Sequence, residues 1–378
     1  MATRHHLLQK LPIDLKRLPL TDWKEIFDYL NIDPAIRDRV FRAVYHENTA
    51  DLETIPEIPE TDRNKLLEVA TITRSDVHEL VRSEDGSWKL TLRLHDGGLT
   101  EAVIIPEWSG GTLRKCSASI SSQIGCFFGC SFCATGQMGF HRNLATGELV
   151  DQVREVEKAV RAKLDTGLTH LYFMGMGEPM NNYRAVSDAL TIMRDPEAPG
   201  PAPSRITVST VGLFRQIRML ALDHPEVRLA VSIHSADQTT REQIMPVSAK
   251  LDLPSIREAM EFHHRRTGHA VTIQYLLMDG VNDRPDDARK LAGYLGALPA
   301  VVTLIMLNPV SASDYRRPEV QKMQAFRMIL DTSGIPTDVR YCYGEDIEAG
   351  CGQLKIAADQ KRVSMSMRHR HNMVPDHG

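Results

Sequence analysis

Residues 121–140 read SSQIGCFFGCSFCATGQMGF. Cys126, Cys130 and Cys133 stand there in the spacing C-x3-C-x2-C. The chain has only 6 cysteines among 378 residues, so this crowding is not a disulfide framework. Clustered thiolates point instead to metal or redox chemistry, and they select iron–sulfur clusters, Zn²⁺ or Cu⁺. Three of them do not complete a tetrahedral site. His141 is the nearest candidate for a fourth ligand and would give a zinc knuckle. Packed structural thiols are the bland alternative, although the flanking glycines make a loop rather than a helix face. The remaining reading is a [4Fe–4S] cluster with three protein ligands, which leaves one iron open for a substrate or cofactor to chelate. Phe127, Phe128, Phe132 and Phe140 would then lower the solvent exposure of that cluster.

Outward from this stretch the chain divides. Residues 1–80 read as a helical accessory domain. Trp23, Ile26, Phe27 and Leu30 recur at helical spacing, with Thr21 placed to cap; Ile36, Val40, Phe41 and Val44 repeat the pattern, and Thr61 opens a third helix. Residues 81–112 read as a bridging β-hairpin. Leu90, Leu92 and Leu94 alternate there with Lys89, Thr91 and Arg93, and HDGG supplies the turn. From 113 to 355 apolar strands such as THLYF, RITVST, VRLAVS, VTIQYLL, VVTLIM and TDVRY alternate with helical segments. Such alternation predicts an α/β fold of parallel strands with crossover helices, whose ligands sit at the C-terminal ends of the strands. Residues 356–378 form a basic tail.

The bulk numbers narrow the function classes. A formal net charge of −4 excludes a wholly basic nucleic-acid-coating protein, though not a local basic face. Arg4, Lys10, Lys16 and Arg17 gather near one end, and Lys355, Lys361, Arg362, Arg368 and Arg370 near the other. They read equally as solvated tails or as RNA contacts. No apolar run approaches the roughly 18 residues of a membrane span, and the N-terminus lacks the pattern of a secretory signal. A cytoplasmic protein without a membrane partner is expected.

C-x3-C-x2-C with an aromatic before its last cysteine resembles the radical S-adenosylmethionine (SAM) superfamily. There the SAM amino and carboxylate groups chelate the open iron, and one electron cleaves SAM to a carbon radical. Polar groups closing successive strands fit SAM binding: Gly177 and Glu178 in MGMGEP, Ser209 in VSTVG, Ser232, Ile233 and His234 in VSIHSA, and Asn308 in LIMLNPV. Taken singly, each is also an ordinary strand-end cap. Together with MDGVND and DIEAGCGQL, these motifs resemble the RlmN/Cfr family of RNA adenine methyltransferases over residues 20–360. The resemblance implies a partial (β/α)6 barrel, a [4Fe–4S] cluster, SAM, and methylation of adenine C2 or C8 in 23S rRNA, with tRNA as a further substrate. It implies a flavodoxin- or ferredoxin-type electron donor. Cys351 matches the family's methyl carrier and Glu101 its general base. The family releases the carrier with a second cysteine, through a disulfide, seven residues before the first cluster ligand. Here that position is Ser119, and a hydroxyl cannot exchange with a disulfide. Cys116 is the expected substitute, brought to Cys351 by a rearranged loop, while Cys342 reads as a packed strand residue. The departure at Ser119 keeps open a radical SAM enzyme acting on a nucleoside or other small molecule.

Overall fold

The computed structural model describes residues 12–308, 310, 313–341 and 343–355. Helices Leu20–Tyr29, Pro34–Tyr45 and Glu60–Val69 form the N-terminal module. Two short strands, β1 (Ile13–Asp14) and β2 (Ala70–Thr71), pair in parallel and close it. Trp23 stacks on Phe27 and meets Phe41 edge-on, so the apolar stripes of the first two helices bury one another.

The rest is built on one ten-stranded sheet. β3 (Asp76–Arg82), β4 (Trp88–Arg93), β5 (Leu99–Ser109) and β6 (Thr112–Ile120) run antiparallel. β7 (Gln123–Gly125) and β8 (Phe140–Asn143) form a separate small hairpin. β9 (His170–Phe173), β10 (Ile206–Thr210), β11 (Arg228–Ser232), β12 (Val271–Leu277), β13 (Ala300–Met306) and β14 (Thr337–Arg340) continue in parallel from β6. The order is β14-β13-β12-β11-β10-β9-β6-β5-β4-β3. The alternating strands expected from sequence are β9–β14, joined by the crossover helices of a partial β/α barrel. The expected bridging hairpin is not a separate bridge. β4 and β5 are hydrogen-bonded through β6 into the barrel sheet itself.

The register of β5 and β6 fixes what faces the barrel interior. Val103 pairs with Ser119 and Ile105 with Ser117, so these side chains share the inner face. Ile104, Pro106, Cys116 and Ala118 share the outer one. Helix Thr146–Leu164 adds to the buried core on that side through Leu149, Val153 and Val156. The β7–β8 hairpin frames the cysteine loop. Gly125 sits at φ +72°, and a Cβ there would collide with the Gly139 carbonyl, so only glycine lets the two sides of the loop close.

Candidate active site

The strand ends surround one open cavity of about 1290 Å³, part of it continuous with solvent. Its wall carries Cys126, Cys130 and Cys133 together with Cys351, the outcome their separation in sequence least suggests. Gly177, Glu178, Ser209, Ser232, His234 and Asn308 line the same space. Ile233 does not. Its side chain is buried in the core, its N–H donates to the Gln274 carbonyl at 3.1 Å, and its own carbonyl accepts from Arg241. It holds the loop rather than touching what the loop holds.

The cysteine loop suits a cationic metal core. Burial pushes the Cys126 thiol up to about 12 and raises Cys130 and Cys133 as well, so bare thiolates there would be costly. Backbone N–H groups nevertheless aim at the sulfurs, from Phe128 to Cys126 and from Thr135 and Gly136 to Cys133. Such N–H···S contacts stabilise metal-bound thiolates. Among the described residues the buried Nδ2 of Asn308 has no hydrogen-bond partner. A Cβ on Gly177 would strike the Gln123 side chain, so the backbone closes against the loop only as glycine. These features fit a [4Fe–4S] cluster with SAM. His141, on β8, is not among the cavity residues, and the zinc-knuckle alternative loses its fourth ligand. The aromatic shield is partial. Phe132 is buried edge-on against His234 and Phe128 lines the cavity, but Phe127 and Phe140 are 74% and 41% exposed.

The polar wall is pre-set. Glu178 accepts the Met180 and Val211 N–H groups, both at 3.0 Å, one on each oxygen. Burial still raises its carboxyl to about 7. The Thr210 side chain bonds it as well, which leaves one lone pair of the carboxylate for a ligand ammonium. His234 adopts φ +55°, and its Nδ1 accepts the Leu276 N–H at 3.0 Å. Burial and the Arg241 charge lower its pKa to about 3, so the ring is neutral with its proton on Nε2. Ser209 and Ser232 both donate to Oε1 of Gln274, at 2.8 and 3.0 Å.

Gln274 and Arg241 were not anticipated. Gln274 interrupts the apolar run VTIQYLL on β12, a polar residue at an inward position, and that signal was readable. Arg241 lies in the short helix Gln238–Ile244 and is fully buried. Its guanidinium donates to the carbonyls of Ile233, Leu251 and Val211 at 3.2, 3.0 and 2.6 Å. Burial lowers its pKa to about 10, which leaves it charged. Nothing in TTREQI marks it as a core residue.

Glu101 lies on the same face of β5 as Val103 and Ile105, buried beneath the Cys351 segment rather than on the cavity surface. The Lys355 backbone N–H donates to it, and Lys89 Nζ stands 3.5 Å from Oε1. Oε2 is buried with no partner among the described residues. Burial outweighs Lys89 and raises the carboxyl to about 7. The Cys116 expectation is corrected. Cys116 is not on a loop. It is a free thiol within the regular ladder of β6, on the outer face opposite Ser119, packed in the core and pushed up to about 11 by burial. Ser119 itself lines the cavity. Cys342, Arg4, Lys10 and the basic tail 356–378 lie outside the described residues.

Comparison with known proteins agrees with this site. Residues 120–292 match the radical SAM superfamily. The chain is 38% identical over 320 residues to a probable dual-specificity RNA methyltransferase RlmN of Salinibacter ruber, covering 84% of this chain and 87% of that one. It is 36% identical to the dual-specificity RNA methyltransferase RlmN of an Anaeromyxobacter species, covering 90% of each chain. A crystal structure of a radical SAM methyltransferase from Sphaerobacter thermophilus superposes with a TM-score of 0.79 at 35% identity, over 91% of this chain and 99% of that one. With its three-cysteine loop, glycine-lined strand ends and Cys351 in one cavity, the chain belongs to the RlmN family of radical SAM RNA methyltransferases, enzymes whose cofactors are a [4Fe–4S] cluster and SAM.

Proposed function

We propose that this enzyme methylates a ring carbon of adenine, C2 or C8, in 23S rRNA and also in tRNA, with Cys351 as methyl carrier and Glu101 as proton acceptor. The observation that carries this reading is the seat of Cys351. Ala134 N–H donates to the Gly352 carbonyl at 2.7 Å, and Thr135 Oγ1 donates to the Leu354 carbonyl at 2.6 Å, so the carrier segment is fastened to the cysteine loop on both sides of Gln353. A carrier must reach both the methyl donor and the base, and an exposed thiol on the cavity wall does so. When bound, the cluster and SAM supply the methyl group and the carbon radical that a non-nucleophilic ring carbon requires. Cys351 holds the one-carbon unit, Glu178 and the strand-end serines orient the donor, and Glu101 takes the proton leaving the base carbon. The electron comes from a flavodoxin- or ferredoxin-type protein in the cytoplasm. Among the described residues no helix is long and apolar enough to cross a membrane.

The test is anaerobic reconstitution with SAM, reductant and unmodified rRNA or tRNA, followed by mass spectrometry of the nucleosides. Methyladenosine, lost in Cys351→Ala, supports the reading. Formation of 5′-deoxyadenosine with no methylated nucleoside sinks it. That result would favour the second reading, a small-molecule substrate, for which Ser119 on the inner wall is the supporting observation.

A further inference from the structure

The inner face of the sheet below the cavity is not the layered Val, Ile and Leu core of a closed barrel. The register defines it. Val103, Ser119, Tyr172, Thr207 and Arg228 pair in one row across β5, β6, β9, β10 and β11, and Val103 and Ser119 line the catalytic cavity. Their neighbours on the same face are Lys115 and His170. The Tyr172 ring is the hub. Lys115 Nζ lies 5.7 Å from its centroid and Arg340 Cζ 5.9 Å, while His170 stacks at 6.5 Å with an interplanar angle of 12°. Lys115, Arg205 and Arg228 all bear on His170, whose ring is held below its ordinary pKa by burial and by these cations. The tract contains two carboxylates: Glu107, bound to Lys115 at 2.8 Å, and Asp338, two residues before Arg340 on its strand. The chain as a whole is acidic at −4, so this concentration of cations is local. It is half-exposed, and it is continuous with the cavity through Arg340, which lines both.

We propose that this lower inner wall binds the sugar–phosphate backbone of the RNA whose adenine enters the cavity above it. The proposal rests on the RNA reading given above. Cations beside an aromatic face match a nucleic-acid strand: the cations neutralise phosphates and the ring offers a stacking surface. Tyr172 thus serves as the platform, and Lys115, Arg228 and Arg340 as the phosphate contacts.

The experiment measures binding of an unmodified, in vitro transcribed tRNA and a 23S rRNA fragment to the cluster-loaded enzyme, by fluorescence anisotropy across a salt series. Lys115→Ala/Arg228→Ala is the test variant. Arg289→Ala/Lys158→Ala, on outer helices, is the control. The expected result is about tenfold weaker binding for the test variant. Its slope of log K against log salt should be shallower by about 0.7 for each phosphate left without its cation. SAM cleavage without RNA stays at the wild-type level, since neither residue lines the cavity. Equal affinity and slope in test variant and wild type would overturn the proposal, as would an equal loss in the control. If the wild type binds neither RNA, the RNA reading itself fails, which is a different outcome.

Discussion

At the scale of single residues, charge and burial decide what each group can do. Glu101 has a folded value of about 7 against an ordinary 4.5, so between those values the folded chain binds the proton more tightly than the unfolded one. Its contribution to stability is therefore present at acid pH and lost as pH rises through about 7. Its capacity to accept a proton runs the other way. Methyl transfer should rise with a midpoint near pH 7, and Glu101→Gln should flatten that limb while leaving SAM cleavage intact, measured by single-turnover product formation. Ser119 sets a second expectation. Its hydroxyl on the inner wall cannot exchange with a disulfide, and Cys116 is turned to the outer face, so neither of these two positions releases the carrier. Cys116→Ala should leave methyladenosine formed per enzyme at the wild-type level, while Ser119→Cys should raise it, counted over several turnovers. A loss of turnover in Cys116→Ala contradicts this. Arg241 contributes through hydrogen bonds: Arg241→Met strands three buried carbonyls and should cost about 2–4 kcal/mol in urea denaturation, with Arg241→Lys recovering part.

At the scale of elements, the carrier segment 343–355 is clamped from two sides. The cysteine loop holds Gly352 and Leu354, and the β3–β4 turn holds the other end. Asp85 accepts the Gly344 N–H at 2.6 Å, and Asp346 accepts from the Ser83 hydroxyl and from the Glu84 N–H at 3.0 Å. Asp346→Ala should leave the urea midpoint close to wild type, because the Asp346 side chain is exposed, yet speed alkylation of Cys351 several-fold, read by mass spectrometry. An unchanged rate would show that the turn does not hold the carrier. None of this was legible beforehand, because contacts between residues 83–85 and 344–346 leave no periodic trace. Local signals were legible. β9–β14 and their helices follow from alternating apolar runs, and the cluster loop from its cysteines. The cap assignments failed by two residues each: helices Leu20–Tyr29 and Glu60–Val69 begin after Pro19 and Pro59, with Thr21 and Thr61 already inside. β6 was missed as a barrel strand because KCSASI carries small polar residues on its inward positions. Of these, Ser119 faces the cavity and not a packed core, so the functional site weakened the strand's own signature.

At the scale of the whole molecule, the helical module and the barrel share one continuous core, running from Leu15 and Trp23 through Val150 to the barrel strands. The joint is an ion pair. Lys16 bonds Asp151 on helix Thr146–Leu164, with side chains only 4% and 7% exposed. The other Asp151 oxygen accepts the Ser75 N–H at 3.0 Å. Gly147 lies so close that a Cβ would collide with Lys16. Leu20 N–H adds a bond to Asp188 at 3.1 Å. A buried pair of this kind stabilises little over an apolar replacement, but breaking it leaves an unpaired charge that costs about 3–5 kcal/mol. Asp151→Ala alone should therefore destabilise far more than the double replacement Lys16→Met/Asp151→Leu, which removes both charges and fills the space. Because the core is shared, the loss should appear as one cooperative transition. Trp fluorescence, to which Trp23 contributes from the module, and far-UV circular dichroism, dominated by the barrel, should give the same urea midpoint in wild type and in both variants. Two separated midpoints would mean that the module is a detachable accessory, and its proximity to helix Thr146–Leu164 would then say nothing about how the cysteine loop after β6 is held.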